Sequence, residues 1–281
     1  MYQLTKKFPQ KRAFITGAAS GLGKALAELL ATDGWKIGIT DINPTALENA
    51  ANELREKGAT VFPYAFDVSD KLAFEKAAKD FLHHNNGIDL LINNAGVGDG
   101  GLFEEYSLDN WDWITGINQL GVIYGSFFFV PVMKKQRSGH IINVSSMAGV
   151  ANMPNMSMYN VTKAAVISLA ESIYVELAPF GVGVSLVLPT FFRSNIMQHN
   201  RGPEHATTIG KIKSQKISIT PDIVAHKILK CAGKGQFYIY HPFQALWVSW
   251  LKRLSPTLFL AIKVNMFKKK KWVREAIKNK T

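Results

Sequence analysis

Over its first 190 residues the chain alternates short β-rich segments with segments of helical periodicity, which constrains the fold more than any other feature. Several β-rich segments are almost entirely apolar, as expected of strands buried on both faces of a sheet. Strands that alternate with helices favour a parallel, doubly wound sheet. The predicted strands are 11–16, 36–41, 60–66, 88–93, 140–145 and 182–188, and the clearest predicted helices are 22–31, 44–57, 70–84 and 158–177.

We predict an α/β fold with a single doubly wound parallel sheet flanked by helices, which is Rossmann-like, and with a helical, basic C-terminal extension. No repeat or low-complexity linker divides the 281 residues. We therefore predict a dinucleotide-binding catalytic domain over 1–241, with a substrate loop at about 190–218, and an extension over 242–281 that belongs to the same domain. The very apolar segment 121–133 is predicted to be a buried helix, because it is too short to span a bilayer.

Three glycines join the first predicted strand to the first predicted helix, in the sequence TGAASGLG at 16–23. Glycines at such a turn let backbone amides approach a pyrophosphate, and the helix N-terminus favours its negative charge. The spacing is not G-x-G-x-x-G, so an ordinary glycine-rich turn is the alternative, and the flanking strand and helix favour the cofactor. The predicted cofactor-binding residues here are Gly17, Ser20, Gly21, Leu22 and Gly23.

Asp41 ends the second predicted strand, 18 residues after Gly23. An acidic residue at about this offset binds the ribose hydroxyls of a dinucleotide. Asn43, directly before Pro44, is the better helix cap and leaves Asp41 free for the cofactor. A carboxylate repels a 2′-phosphate, and no Lys or Arg stands at Ser20 or Ile42. The sequence therefore favours NAD(H) over NADP(H).

Two further segments follow strands of the predicted sheet. Asp67 and Val68 follow the third strand, and Asn94, Ala95 and Gly96 follow the fourth. The carboxyl ends of parallel strands form the ligand crevice of an open α/β sheet. We expect these residues to contribute to cofactor binding, although either segment alone would fit an ordinary turn.

Tyr159 and Lys163 are four residues apart at the start of a predicted helix and so share one face of it. A free tyrosine has a pKa of about 10, and a nearby ammonium favours the phenolate. Lowering that pKa by about 3 units takes roughly 4 kcal/mol. We expect the lysine, a dry site and a positive nicotinamide ring to supply it together. Alone, such a pair would fit a plain surface contact.

The residues Asn118, Ser146, Tyr159 and Lys163, in this order and together with 16–23, Asp67-Val68 and 93–96, resemble the short-chain dehydrogenase/reductase family. The resemblance covers about the first 195 residues. It implies that Tyr159 transfers a proton to or from the reacting oxygen and that Ser146 polarises that oxygen. It also implies that Lys163 lowers the Tyr159 pKa and binds the nicotinamide ribose, and that Asn118 holds a water as a proton relay. Ser146 is preferred to Ser145 because it lies 13 residues before Tyr159.

One motif departs from the family pattern, which has Pro-Gly after the sixth strand and then a threonine at the carboxamide. Here Pro189 is followed by Thr190, and Ser194 takes the place of the threonine. The resemblance implies that Pro189 and Ser194 contact the cofactor, whereas Thr190 adds a β-branched side chain near the nicotinamide.

The excess positive charge lies at the end of the chain. Residues 1–200 hold 16 basic and 18 acidic residues, a net of −2, whereas 201–281 hold 17 and 3, a net of +14. Segment 243–251 is aromatic and apolar, and 268–271 is a run of four lysines followed by Trp272. Such a composition suits peripheral contact with anionic membrane lipid. A hydrophobic lid over the substrate and an oligomer contact are the alternatives. Each of these three interpretations of the tail makes the surroundings of the site apolar, as do Phe191, Phe192 and Met197, so the sequence favours a lipophilic substrate.

The sequence thus predicts an NAD-dependent alcohol dehydrogenase or ketone reductase acting on a lipophilic alcohol or carbonyl compound. The alternatives are an NADPH-dependent carbonyl reductase, an epimerase or dehydratase, and a nucleotide-binding regulatory protein.

No spacing of histidines fits a metal site, and no aromatic-interleaved basic motif favours nucleic acid. One cysteine and a polar N-terminus favour a cytoplasmic protein, and membrane association through the tail is one of the three interpretations of its composition. The resemblance also suggests a homo-oligomer, a dimer or tetramer.

Overall fold

The computed structural model describes residues 2–98, 100–194, 196, 201–202 and 218–270. One sheet of seven parallel strands in the order β3-β2-β1-β4-β5-β6-β7 forms its centre, which confirms the predicted fold class. The strands are β1 Arg12–Thr16, β2 Lys36–Asp41, β3 Thr60–Ala65, β4 Leu90–Asn93, β5 Gly139–Val144, β6 Val182–Pro189 and β7 Tyr238–His241. The order reverses between β1 and β4, and a crevice for ligands forms at such a switch point.

Helices cover both faces of the sheet. The helices are α1 Gln3–Lys7, α2 Gly21–Ala31, α3 Pro44–Glu56, α4 Lys71–Asn85, α5 Leu108–Thr115, α6 Gly121–Gln136, α7 Met147–Ala151, α8 Ser157–Leu177, α9 Pro221–Gly233, α10 Ala245–Leu254 and α11 Pro256–Lys268. The core on one face contains residues of α1, α2, α3 and α9, and the core on the other contains residues of α4, α6 and α8. Asn43 caps α3 by accepting a hydrogen bond from the Ala46 amide at 3.0 Å, as predicted.

Strand β7 was not predicted from the sequence, which indicated only six strands. It has four residues, and it pairs with β6 from Leu186↔Tyr238 to Pro189↔His241. So short a segment carries little periodicity, and its strand conformation depends on pairing with β6. The pairing also fixes the start of the substrate loop, because the Thr190 amide donates to the His241 carbonyl at 2.8 Å.

The segment predicted as a buried helix at 121–133 is part of a longer helical stretch, Leu108–Gln136. This stretch joins α5 to α6 through a π-helical turn, Gly116–Leu120. Among the described residues it alone is long and apolar enough to cross a membrane, but the same test is met by core helices of soluble proteins. The prediction of burial holds for one face: Phe129 and Met133 pack under the sheet, whereas Phe127 is 68% exposed.

The structure describes only part of the predicted substrate loop. Of 190–218, the described residues are 190–194, 196, 201–202 and 218, so Met197 and most of the loop lie outside them. Lys271 and Trp272 also lie outside. The helical C-terminal extension is confirmed by α10 and α11.

Candidate active site

The glycine-rich turn and the end of β4 lie in contact at the switch point. Gly17 has a φ of +65°, and a Cβ there would lie 2.8 Å from the Ala95 Cα. The Asn94 side-chain amide donates to the Thr16 and Gly17 carbonyls at 2.9 and 3.0 Å. The Thr16 hydroxyl accepts hydrogen bonds from the Asn94 and Ala95 amides, both at 3.0 Å. Asn94 therefore shapes the turn, and Thr16, which the sequence did not single out as a site residue, holds the two strand ends together.

The start of α2 has the features that a pyrophosphate requires. Ser20 is the N-cap residue and makes no side-chain capping bond. Apart from the neighbouring residues and the backbone of α2 itself, no described atom lies within 4 Å of the position that a Gly21 Cβ would occupy, so open space adjoins the first turn. A Gly23 Cβ would lie 2.1 Å from the Gly17 carbonyl oxygen, and only glycine lets the helix pack this closely on the turn. Unpaired amides at a helix N-terminus attract anions, so this turn fits a dinucleotide.

Asp41 is held at the edge of the same turn. Its carboxylate accepts hydrogen bonds from the Ala19 and Asn43 amides, both at 3.2 Å. The sequence suggested a carboxylate free for the cofactor, whereas in the structure each carboxylate oxygen already accepts one hydrogen bond from a backbone amide. An ionised carboxylate has about four acceptor sites, so both oxygens retain capacity for ribose hydroxyls.

The side chains of Asp67 and Val68 also serve the fold. One Asp67 oxygen accepts from the Ser69 amide and hydroxyl at 2.9 and 2.8 Å. Val68 packs where α6 begins, since a Cβ on Gly121 would lie 3.0 Å from it. A cofactor contact here would use the second Asp67 oxygen or the small exposed part of Val68.

The structure brings Ser146, Tyr159 and Lys163 together at the carboxyl ends of β5 and β6. Tyr159 and Lys163 are both buried on α8, with the Lys163 Nζ 5.7 Å from the centroid of the Tyr159 ring. The Lys163 ammonium donates to the Val144 carbonyl at 3.1 Å. The Ser146 hydroxyl accepts from the Ala148 amide at 3.0 Å and lies 3.5 Å from the carbonyl oxygen of Pro189. The Tyr159 phenol, the Ser146 hydroxyl and the Lys163 ammonium therefore lie near one another at this edge of the sheet.

Burial raises the Tyr159 pKa to about 12, and the hydrogen bond from Ser146 opposes that rise. Burial also lowers the Lys163 pKa to about 8. The sequence led us to expect a lowered phenol pKa, and the protein alone does not provide one. The reason is desolvation, which disfavours the charged form of either side chain. A positive nicotinamide ring is a charge that the cofactor would add.

Asn118 lies in the π-helical turn, opposite Gly96. Its side-chain carbonyl accepts from the Val97 amide at 2.8 Å, and its side-chain amide donates to the Val97 carbonyl at 2.9 Å and the Thr162 hydroxyl at 3.3 Å. A Cβ on Gly96 would lie 3.1 Å from Asn118 Oδ1 and 3.4 Å from Lys163 Nζ. Glycine at position 96 therefore leaves room for both the Asn118 side-chain amide and the Lys163 ammonium. Because the side chain is engaged, a relay water would need its backbone carbonyl or its remaining lone pair.

The two serines at the end of β5 have different surroundings. The Ser145 hydroxyl is buried and donates to the Lys163 carbonyl at 2.7 Å, which fixes α8 against the sheet. The Ser146 hydroxyl is near the Tyr159 phenol. Ser146 is thus the serine available to a reacting oxygen.

An apolar wall adjoins Tyr159, and the sequence gave no indication of it. Tyr159 packs in a small cluster with Ile114, Ala148 and Met158. The partly buried side chains around this cluster are Val97, Tyr106, Trp111, Trp113, Met156 and Ile196. Both tryptophans lie on α5, which the sequence did not predict as a helix. A ligand whose reactive carbon meets Tyr159 would therefore contact apolar and aromatic groups.

The remaining predicted residues lie after β6. Pro189 is the last residue of that strand and is buried, whereas Ser194 is half-buried five residues further on. Thr190 is also half-buried. Within the described ranges, no group of three His, Cys, Asp or Glu side chains could hold a metal ion.

Comparison with known proteins identifies the family of this chain. A family model described as short chain dehydrogenase matches residues 11–205. The chain belongs to the short-chain dehydrogenase/reductase family. It is therefore an oxidoreductase of that family. The matched residues include β1 and the predicted catalytic residues Ser146, Tyr159 and Lys163.

Similar members of the family include a named dehydrogenase and proteins solved with different nicotinamide cofactors. The C alpha-dehydrogenase of Sphingobium sp. SYK-6 is 36% identical over 247 residues, which cover 83% of this chain and 81% of that protein. A short-chain dehydrogenase/reductase from Burkholderia phymatum, solved in complex with NAD, is 33% identical with a TM-score of 0.81, covering 88% and 94% of the two chains. A metagenomic short-chain oxidoreductase, solved with NADP, is 28% identical with a TM-score of 0.67, covering 82% and 95%. A nicotinamide cofactor is common to the two complexes.

Proposed function

We propose that this short-chain dehydrogenase/reductase transfers hydride between NAD(H) and a lipophilic secondary alcohol, ketone or aldehyde. The observation that carries the proposal is the meeting of Ser146, Tyr159 and Lys163 beside both the glycine-rich turn and the apolar wall. The turn would hold the dinucleotide, the three polar side chains would handle the proton, and the wall would select apolar substrates.

In the oxidising direction, the Tyr159 phenolate accepts the hydroxyl proton of the substrate, and Ser146 hydrogen-bonds the same oxygen. The bound nicotinamide supplies the acceptor for the hydride that leaves the carbinol carbon. The oxygen keeps the electron pair of the broken O–H bond and forms the carbonyl, so atoms and electrons balance. In the reducing direction, Tyr159 returns the proton to the oxygen. The positive charge of the Lys163 ammonium, whose Nζ lies 5.7 Å from the centroid of the Tyr159 ring, favours the phenolate.

We propose NAD(H) as the cofactor because of Asp41. The carboxylate is fixed by two backbone amides beside the turn, so it cannot easily move away from an added phosphate. Lys24, the basic residue nearest in sequence to the turn, is paired with Glu53 at 2.7 Å. NADP(H) is the alternative, since similar proteins bind either form.

Asp41→Ala is expected to raise the preference for NADP⁺ over NAD⁺, measured as the ratio of the two kcat/KM values, by roughly tenfold or more. The reason is the loss of repulsion between the carboxylate and the 2′-phosphate, about 1 to 4 kcal/mol at short range. Asp222→Ala, which removes an exposed carboxylate in the first turn of α9, is the control and should leave the ratio unchanged. A wild-type preference for NADP⁺ would contradict the ribose assignment.

We propose a lipophilic substrate on the basis of the apolar wall beside Tyr159. A screen of NAD⁺ reduction over steroid, retinoid, aliphatic and sugar alcohols tests it. We expect kcat/KM to be highest for an apolar secondary alcohol, because transfer of apolar area from water contributes about 25 cal/mol per Å². Sugar alcohols as the best substrates would contradict this part of the proposal.

We also propose a homo-oligomer, through the outward faces of α6 and α8. Several large apolar side chains are exposed there, although a monomer of this fold would be expected to carry polar groups on such faces. They are Phe127, Val161, Tyr174 and Val175.

A further inference from the structure

The C-terminal helix pair, α10 with α11, exposes large apolar side chains at a much higher density than the other described residues. Of the large apolar side chains found exposed among the described residues, 10 of 21 lie within 243–266. They are Phe243, Trp247, Trp250, Leu251, Leu254, Leu258, Leu260, Ile262, Val264 and Met266. Soluble monomers rarely expose a contiguous apolar patch of this kind unless it binds something.

Helix α11 has the reverse of the usual amphipathic pattern. The side that packs on the protein carries Phe259 and, one turn later, Lys263. The Lys263 ammonium donates to the carbonyl of Ala151 at 2.6 Å and also to that of Asn152. Leucine, isoleucine and methionine occupy outward positions. A helix that faces water normally places its charges outward, so this pattern indicates an apolar environment on the outside.

Helix α10 continues the same surface. Its exposed Trp247, Trp250, Leu251 and Leu254 follow the spacing i, i+3, i+4, i+7, which forms one stripe along the helix. On the packed side, the Lys252 ammonium donates to the Val150 carbonyl at 2.6 Å. Both lysines therefore hold the helix pair in place by binding carbonyls at the end of α7.

The charge of this segment favours an anionic partner. Residues 242–270 contain six basic residues and no Asp or Glu. A second copy of the chain would bring the same positive charge against it, whereas the headgroups of acidic lipids would neutralise it. Three of the six, Lys268, Lys269 and Lys270, are exposed at the end of α11. Tryptophans beside basic residues are typical of helices that lie in a membrane interface.

The helices are too short to cross a bilayer. With 10 and 13 residues they extend about 15 and 20 Å, and the apolar thickness of a bilayer is about 30 Å. Insertion of the outward face into one leaflet is the arrangement that their length and pattern allow.

We propose that the C-terminal helix pair docks on an anionic bilayer, with its tryptophans and aliphatic side chains in the lipid and Lys268–Lys270 at the headgroups. The carbonyls that bind Lys252 and Lys263 belong to α7 and the residue after it, and α7 begins directly after Ser146. Docking would therefore hold the substrate end of the crevice near the lipid. This second part rests on the proposed function: a lipophilic alcohol would reach Tyr159 from the bilayer.

Binding of the 281-residue chain to vesicles tests the docking without substrate or cofactor. We expect the wild type to sediment with vesicles of phosphatidylcholine and phosphatidylglycerol at low salt, and much less with phosphatidylcholine alone. The triple variant K268Q/K269Q/K270Q should partition about 100-fold more weakly, because each basic residue contributes a factor of about five. The control K6Q/K7Q/K36Q removes three exposed charges on α1 and β2 and should bind as the wild type does.

A second pair of variants tests insertion. Trp247→Gln with Leu254→Gln should weaken the binding that persists at high salt, whereas Leu72→Gln, an exposed leucine on α4, should not. Absence of wild-type binding at low salt would overturn the proposal. Concentration-dependent self-association that Trp247→Gln abolishes, without vesicle binding, would show that a second copy covers the face.

The delivery step has its own readout. If docking supplies substrate, K268Q/K269Q/K270Q should slow turnover of an alcohol dissolved in vesicles and leave turnover of a small water-soluble alcohol unchanged. Equal loss on both alcohols would overturn the delivery part alone. Vesicle binding by a protein without any turnover would leave docking intact and contradict the proposed function.

Discussion

Tyr159→Phe is expected to lower kcat by about 10²–10⁴-fold, the usual contribution of a positioned proton-transfer group. The variant keeps the ring in its buried cluster and removes only the hydroxyl, so NADH binding, followed by fluorescence titration, should remain near the wild-type affinity. The Ser146 hydroxyl cannot replace the phenol, because it already accepts from the Ala148 amide and has no ammonium paired with it in the described contacts.

Tyr174→Phe is the matched control for this experiment. Tyr174 lies on the same helix, is partly exposed, and packs on Phe237 with ring centroids 4.6 Å apart. It should retain wild-type turnover. If Tyr159→Phe also retained near-normal turnover, Tyr159 would not be the proton-transfer group.

Lys163→Met is expected to shift the pH dependence of alcohol oxidation to higher pH. The Lys163 Nζ lies 5.7 Å from the centroid of the Tyr159 ring. At a charge separation of about 6 Å, an ammonium stabilises a phenolate by about 3 kcal/mol at an effective dielectric constant of about 20, equivalent to about 2 pKa units. Loss of the positive charge raises the pKa of the Tyr159 phenol. The phenolate is then rarer at neutral pH, so the rate of alcohol oxidation there falls. Rate profiles with NAD⁺ between about pH 6 and about pH 10 measure the shift.

The wild-type profile should also change slope where Lys163 loses its proton, since burial lowers its pKa to about 8. Above that pH the ammonium no longer supports the phenolate, and the two groups titrate as a pair. Lys230→Met, an exposed lysine on α9, is the control and should show the wild-type profile. An unshifted profile in Lys163→Met would show that the lysine acts on cofactor binding only.

The fold was predictable because its signals are local. The middle of β1 and the first three residues of β4 are apolar. The glycine turn between β1 and α2 requires a tight approach that a Cβ would prevent. The grouping of Tyr159 with Lys163 follows from helical spacing alone. Their grouping with Ser146 was implied by the resemblance to the family, because Tyr159 and Lys163 lie on α8 and not at the end of a strand.

Features that depend on tertiary contacts were not predictable in this way. Strand β7 exists because β6 offers it a partner, and the π-helical turn places Asn118 against Val97 through hydrogen bonds that no spacing encodes. The raised Tyr159 pKa depends on how completely the fold excludes water.

The tail shows the same limit. Its basic and aromatic composition favoured contact with anionic lipid, but it did not indicate that Lys252 and Lys263 bind backbone carbonyls of the protein or that the outward face of the helix pair is largely apolar. Composition alone could not separate the lysines that anchor the helix pair from those that remain at its surface.

Transfer of deuterium is the most direct test of the central claim, that this chain moves hydride between a nicotinamide and a lipophilic carbonyl compound. The protein is incubated with NADH that carries deuterium at the reactive ring carbon and with a panel of apolar ketones, and the alcohol products are analysed by mass spectrometry. We expect a product with deuterium at the carbinol carbon, formed by the wild type and by Tyr174→Phe and nearly absent with Tyr159→Phe. A protein that binds NADH but forms no alcohol from any carbonyl compound, with NADH or NADPH, would contradict the claim and indicate a nucleotide-binding regulatory protein.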